Sequence, residues 1–193
     1  MAVPLKQIVN NFAEALVAVD RLGLQNKNYL PGIGPFGEVA AVKETLKYLK
    51  AKYPSIYQSA LTKRCPDVLM PGEWALEFKL VRPFGNDGRP AEQWSENLLH
   101  PYEGNTSSLG DCMKLLKSAL PEKKAVIAFA YEHTPPQIDL SIVLKAFEVL
   151  AKDVLGIELG ERQIAEFSGL IHPFHQQGSV IGWEVLGRKP GRA

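Results

Sequence analysis

Apolar positions open the chain on a helical period: Leu5, Ile8, Phe12, Leu16 and Val19 recur at three- and four-residue steps over residues 4–24, with Gly23 placed to stop the helix. After a Gly- and Pro-rich loop at 26–37, Val39, Val42, Leu46, Leu49 and Tyr53 predict a second amphipathic helix over 36–52, closed by Pro54. The spacing then changes. Short apolar segments at 56–61, 67–70 and 74–81 read as strands, and Pro71-Gly72 joins the last two as a hairpin. Within 74–81, alternation puts Trp74, Leu76, Phe78 and Leu80 on one face and Ala75, Glu77, Lys79 and Val81 on the other. Both faces are mainly apolar. This predicts a central strand on which Glu77 and Lys79 are the exceptions that need a reason.

Residues 82–105 are polar and irregular, with a tight turn at Asn86-Asp87-Gly88, and a connection this long inside a domain usually carries function. Ser107 or Ser108 is placed to cap a helix over 108–120, with Asp111 in its first turn and Lys114 one turn on. An apolar run at 125–131 reads as a strand, 138–155 as a helix and 179–186 as a last strand. Residues 162–170 fit neither period clearly, and 187–193 form a basic tail expected to be mobile. The order helix, strand, strand, strand, helix, strand predicts an α/β (α+β mixed) sheet with helices on its faces. At 193 residues the chain is expected to form one domain, 1–193.

Composition narrows this picture only a little. The chain has 22 Lys and Arg against 21 Asp and Glu, a net charge of +1, so no general basic excess advertises nucleic acid. A carboxylate site would itself lower that total, so such a partner is not excluded. Two cysteines cannot build a disulfide framework and fit a cytoplasmic location. No apolar run approaches the ~20 residues of a membrane span, and the first residues lack the order of a secretory signal, so no membrane association is expected.

The charged exceptions on the central strand define the candidate chemistry. Glu77 and Lys79 share a face with Cα atoms about 6.6 Å apart, and Asp67 begins the neighbouring strand. Two carboxylates and a backbone carbonyl, that of Phe78, suffice for a hard cation such as Mg²⁺, with Mn²⁺ able to substitute. The cation would orient and acidify a water, and Lys79 would hold or polarise that water beside a scissile phosphate. Helix phase places Glu38 about 60° from the centre of the apolar stripe of the second helix, within reach of this site, and sends Glu44 to solvent. Lys43, Lys47 and Lys50 make a basic stripe on the other flank.

Pro66-Asp67, nine intervening residues and Glu77-Phe78-Lys79 resemble the PD-(D/E)xK signature of the restriction-endonuclease-like nucleases. The segments over 37–131 are similar to that superfamily's αβββαβ core. The resemblance implies a Mg²⁺-dependent deoxyribonuclease, an endonuclease, with Asp67 and Glu77 as metal ligands and Lys79 assisting the water. Glu38 matches the helix acid that some members add. DNA is the implied partner, and cutting both strands calls for two such sites, which a homodimer would supply. The rival reading is a nucleic-acid-binding module that keeps the fold without turnover.

Other signals have plainer readings. Gly32-Ile-Gly34-Pro-Phe-Gly37 lacks the preceding strand of a dinucleotide site and reads as a flexible lead into the helix. His172-Pro-Phe-His175 reads as a surface loop, since Pro173 prevents a helical metal pair. His100 and Tyr102 lie in the long polar loop, Ser107, Ser108 and Asp111 read as helix capping, and Cys65 reads as a small buried apolar residue.

Overall fold

All eight residues of one strand, Trp74–Val81, are buried, and that strand carries the sheet. The computed structural model describes residues 3–102 and 106–189. Seven strands run β1 (Leu61–Thr62), β2 (Val68–Met70), β3 (Trp74–Val81), β4 (Lys123–Glu132), β5 (Ile157–Leu159), β6 (Gln163–Ser168) and β7 (Gln177–Arg188). Their spatial order is β1-β2-β3-β4-β7-β5, with β6 also on β7. Among the described residues only β3 and β4 pair in parallel, in register from Trp74 opposite Lys123 to Val81 opposite Ala130. Every other pairing is antiparallel, so the sheet is mixed.

The alternation along β3 divides the core in two. Leu76 and Phe78 face α1 (Leu5–Asp20) and α2 (Glu38–Lys52), where Phe12, Leu46 and Leu49 meet them. Phe78 stands 5.0 Å from Phe12 and 5.2 Å from Phe129, ring centre to ring centre. Ala75 and Val81 face the opposite layer, α5 (Ser108–Lys117) and α6 (Leu140–Val149), with Cys112, Leu115 and Phe147. Burial of each large side chain in these layers contributes about 1.5–3 kcal/mol. Two one-turn helices, α3 (Pro54–Tyr57) and α4 (Glu96–Leu99), complete the order, and a π-helical turn at Leu150–Val154 extends α6.

Several elements differ from the periodicity, each for a local reason. α1 stops at Asp20 because that buried carboxylate turns to accept the N–H groups of Ile33 and Ile171, at 2.8 and 2.7 Å. α2 buries Ala41, Val42, Thr45, Leu46 and Leu49 but leaves Val39 75% exposed. Thr45 can lie inside because its hydroxyl donates to the carbonyls of Ala41 and Val42. The segment expected as a strand at 56–61 begins as helix, since Pro54 fits the first helical position. The undecided 162–170 segment is β6, and β5 was not foreseen, being three residues long. Asp139 caps α6 by accepting the Ser141 N–H at 2.9 Å. β7 runs on through Gly187 and Arg188 of the expected tail, whose residues 190–193 lie outside the described set. Among the described residues no helix is long and apolar enough to cross a membrane.

Candidate active site

The site lies where the sheet is interrupted. β2 pairs with β3 only as far as Val68 opposite Leu76, while β3 continues to Val81. Beyond that point Phe78 and Leu80 aim backbone groups at a missing neighbour, and buried backbone groups require partners. Side chains supply them. Asp67 Oδ2 accepts the Phe78 N–H at 2.8 Å, Lys79 Nζ donates to the Phe78 carbonyl at 2.8 Å, and Asn97 Nδ2 donates to the Leu80 carbonyl at 3.0 Å. Two of the residues singled out from the sequence thus close the notch as well as line it.

The two helical layers reach the notch from opposite faces. From α2, Glu38 Oε1 comes to 3.3 Å from Lys79 Nζ. The buried residues of α2 centre close to the direction of Glu38 itself, so Val39, about 90° away, falls outside the stripe. Glu38 is therefore better placed than the expected stripe implied. From α5, Asp111 Oδ2 lies 2.8 Å from Lys79 Nζ and Oδ1 lies 2.6 Å from Lys114 Nζ. The Asp111–Lys114 pair matches the helical spacing, but the ion pair with Lys79 makes Asp111 a member of the site rather than a cap. The cap is Ser107, whose hydroxyl accepts the Gly110 N–H at 3.0 Å and donates to the His100 carbonyl at 2.6 Å.

Four carboxyl groups, Glu38, Asp67, Glu77 and Asp111, are gathered here with two ammonium groups, Lys79 and Lys114, and the imbalance shows in their protonation. Burial, then the charges of Asp67 and Asp111, push the Glu77 carboxyl up to about 8. Burial also raises Glu38, against the pull of Lys79. Lys79 goes the other way: burial opposes its charge, but Asp111 and Glu38 outweigh that cost and hold it protonated. Cys65 is exposed, not buried as expected, and its thiol donates to Glu77 Oε1 at 3.2 Å. Desolvation and the Glu77 carboxyl push that thiol up to about 11, so it remains a donor.

This donor set fits a hard divalent cation in its chemistry. Asp67 and Glu77 offer oxygen, the Phe78 carbonyl faces the same notch, and the crowding that keeps a proton on Glu77 is relieved by positive charge. Among the described residues no three His, Cys, Asp or Glu side chains are grouped as a complete metal cage. The carboxylate pair would thus be supplemented by the Phe78 carbonyl and water.

The remaining motifs are structural. His172 and His175 do not form a surface loop: both are buried, with rings stacked 4.8 Å apart. His175 Nε2 lies 3.0 Å from Asn86 Oδ1, and Arg82 donates to the Gly34 carbonyl at 2.8 Å. The glycines of 32–37 are close-packed rather than flexible, since a Cβ on Gly34 would meet His175 at 2.6 Å. His100 and Tyr102 pack edge to face at 5.2 Å, next to residues 103–105, which lie outside the described set. Comparison of the chain with protein-family models, with curated proteins and with solved structures returns no match.

Proposed function

We propose that the notch at β3 is the active site of a Mg²⁺-dependent deoxyribonuclease that cuts within the strand. The observation that carries this reading is Lys79: a buried ammonium held by Glu38, Asp111 and the Phe78 carbonyl, next to a carboxyl pair whose crowding keeps a proton on Glu77. The element order α2, β1, β2, β3, α5, β4 supports the restriction-endonuclease-like core.

Each side chain has a task in phosphodiester hydrolysis. Asp67, oriented by the Phe78 N–H, and Glu77 would hold the cation together with the Phe78 carbonyl. Mg²⁺ bound there supplies a Lewis acid that acidifies water and offsets charge on the phosphate. Lys79 has its three N–H groups directed at Glu38, Asp111 and the Phe78 carbonyl. It would exchange the longest contact, 3.3 Å to Glu38, for the attacking water, and its charge would stabilise the phosphoryl oxygens. Glu38 and Asp111 position Lys79. Water adds to phosphorus and the bond to the leaving sugar oxygen breaks, giving a phosphate monoester and a hydroxyl.

The test is nicking of supercoiled plasmid in Mg²⁺ by wild type and by Lys79→Ala. Loss of one such donor costs roughly a hundred-fold or more in rate. Equal activity in the two proteins overturns the reading, and binding without cleavage in any divalent cation favours the binding-module rival.

A further inference from the structure

The exposed side of α2 carries a feature that the hydrolytic site does not use. Lys43, Lys47 and Lys50 fall within about 60° of one another around the helix, with Glu44 about 90° away. They line a depression of about 430 Å³ between α2 and the α3–β1 segment, together with Leu46, Gln58 and Thr62. No acidic side chain lines it. Lys63 and Arg64 follow directly from Thr62, both exposed, and the next residue is Cys65, whose thiol bonds Glu77. None of these five cations has an acidic partner among the described residues. In a chain of net charge +1, three such cations lining one groove, with two more in the segment that follows it, are a local concentration and not a share of a general excess.

We propose that this α2–β1 groove binds the phosphate backbone of DNA. The proposal rests on the nuclease reading for the choice of DNA as the polyanion. Its own support is geometric and electrostatic. Lys43 to Lys50 span about 10 Å along the helix at 1.5 Å per residue, which matches the rise of about three base pairs along a duplex axis at 3.4 Å each. The three lysines lie about 120–180° around α2 from Glu38, so the groove would meet DNA on the solvent side of the helix while Glu38 faces the notch. Lysines offer point charges without the planar fork that reads a base, so this contact supplies affinity and register, not sequence choice.

The experiment measures binding of a labelled DNA duplex in EDTA, where no strand is cut, over a range of salt concentrations. Three variants are compared with wild type: Lys43→Gln/Lys47→Gln/Lys50→Gln, the corresponding triple arginine variant, and Lys145→Gln/Lys152→Gln on the opposite helical layer. Each lost phosphate contact reduces the slope of log affinity against log salt by about 0.9. The glutamine triple is expected to bind about tenfold or more weaker, with a slope shallower by about 2–3. The arginine triple should keep the wild-type slope, and so should the change at Lys145 and Lys152. A glutamine triple with unchanged affinity and slope overturns the groove, as does wild-type protein that does not bind DNA. The two readings separate cleanly. Protein that binds with this salt dependence but never cleaves sinks the nuclease and leaves the groove. Protein that cleaves equally well with or without the three lysines sinks the groove alone.

Discussion

Lys79 shows how a single residue can be legible in sequence while its setting is not. Strand alternation placed it beside Glu77, and its buried position on β3 follows from the apolar residues on either side. Asp111 gave no comparable sign. Its i,i+3 spacing to Lys114 explains it fully as a surface pair, and only the packing of α5 across the sheet brings Oδ2 to Lys79. Asp111→Asn should therefore do more than lose a helix contact. It removes the nearest acid from a buried ammonium, which costs roughly 3 kcal/mol of stability, moderated because Glu38 remains. Asp111 is also among the groups that hold Lys79 charged, so its loss should bring the alkaline limb of the pH–rate profile to lower pH. Denaturant titration and the pH profile of plasmid cleavage check the two effects. An unchanged alkaline limb would show that Asp111 is a structural partner only.

At the scale of elements, α2 shows what helix phase makes legible and what it leaves out. Helix phase selected Glu38 over Glu44, and the structure brings Glu38 to Lys79. The stripe used to choose it included Val39, which is exposed, and omitted Thr45, whose hydroxyl is satisfied by its own helix. Hydrophobicity alone cannot distinguish a buried threonine with internal partners from a solvent-facing one. Nor does it show what fixes the start of α2, which depends on contacts between loops distant in sequence. Arg82 holds the Gly34 carbonyl, and His175 fills the space above Gly34. Gly34→Ala places a Cβ 2.6 Å from His175 Cβ, so the 32–37 loop must shift and take Glu38 with it. Expected are a lower melting temperature and weaker cleavage for Gly34→Ala, both partly restored in Gly34→Ala/His175→Ala. A double-mutant cycle on melting temperature measures the coupling, and strict additivity would rule out this contact as the link.

On the scale of the whole molecule, the site and the loop knot make opposite demands on pH. Glu77 keeps a proton in the folded protein that the unfolded chain would release, so its contribution favours the fold at low pH. That contribution is lost as pH rises from the ordinary carboxyl range through about 8. His172 and His175 are both lowered, by burial first and then by Arg82, His175 to about 3. The unfolded chain takes up protons on both imidazoles below about 6.5 while the folded protein does not, so stability falls as pH drops through that range. Together they predict a dome of melting temperature against pH in EDTA, highest near the crossing of the two windows at about 6.5. Glu77→Gln removes the carboxyl raised to about 8 and should make the alkaline limb shallower while leaving the acid limb in place. Mg²⁺ should raise the alkaline limb of wild type, because its binding needs the carboxylates ionised, and should do little for Glu77→Gln. Melting curves across pH, with and without Mg²⁺, decide the matter. An alkaline decline undiminished in Glu77→Gln would place its origin on another carboxyl raised by burial, such as Glu38. A Mg²⁺ effect of equal size in both proteins would remove Glu77 from the metal site.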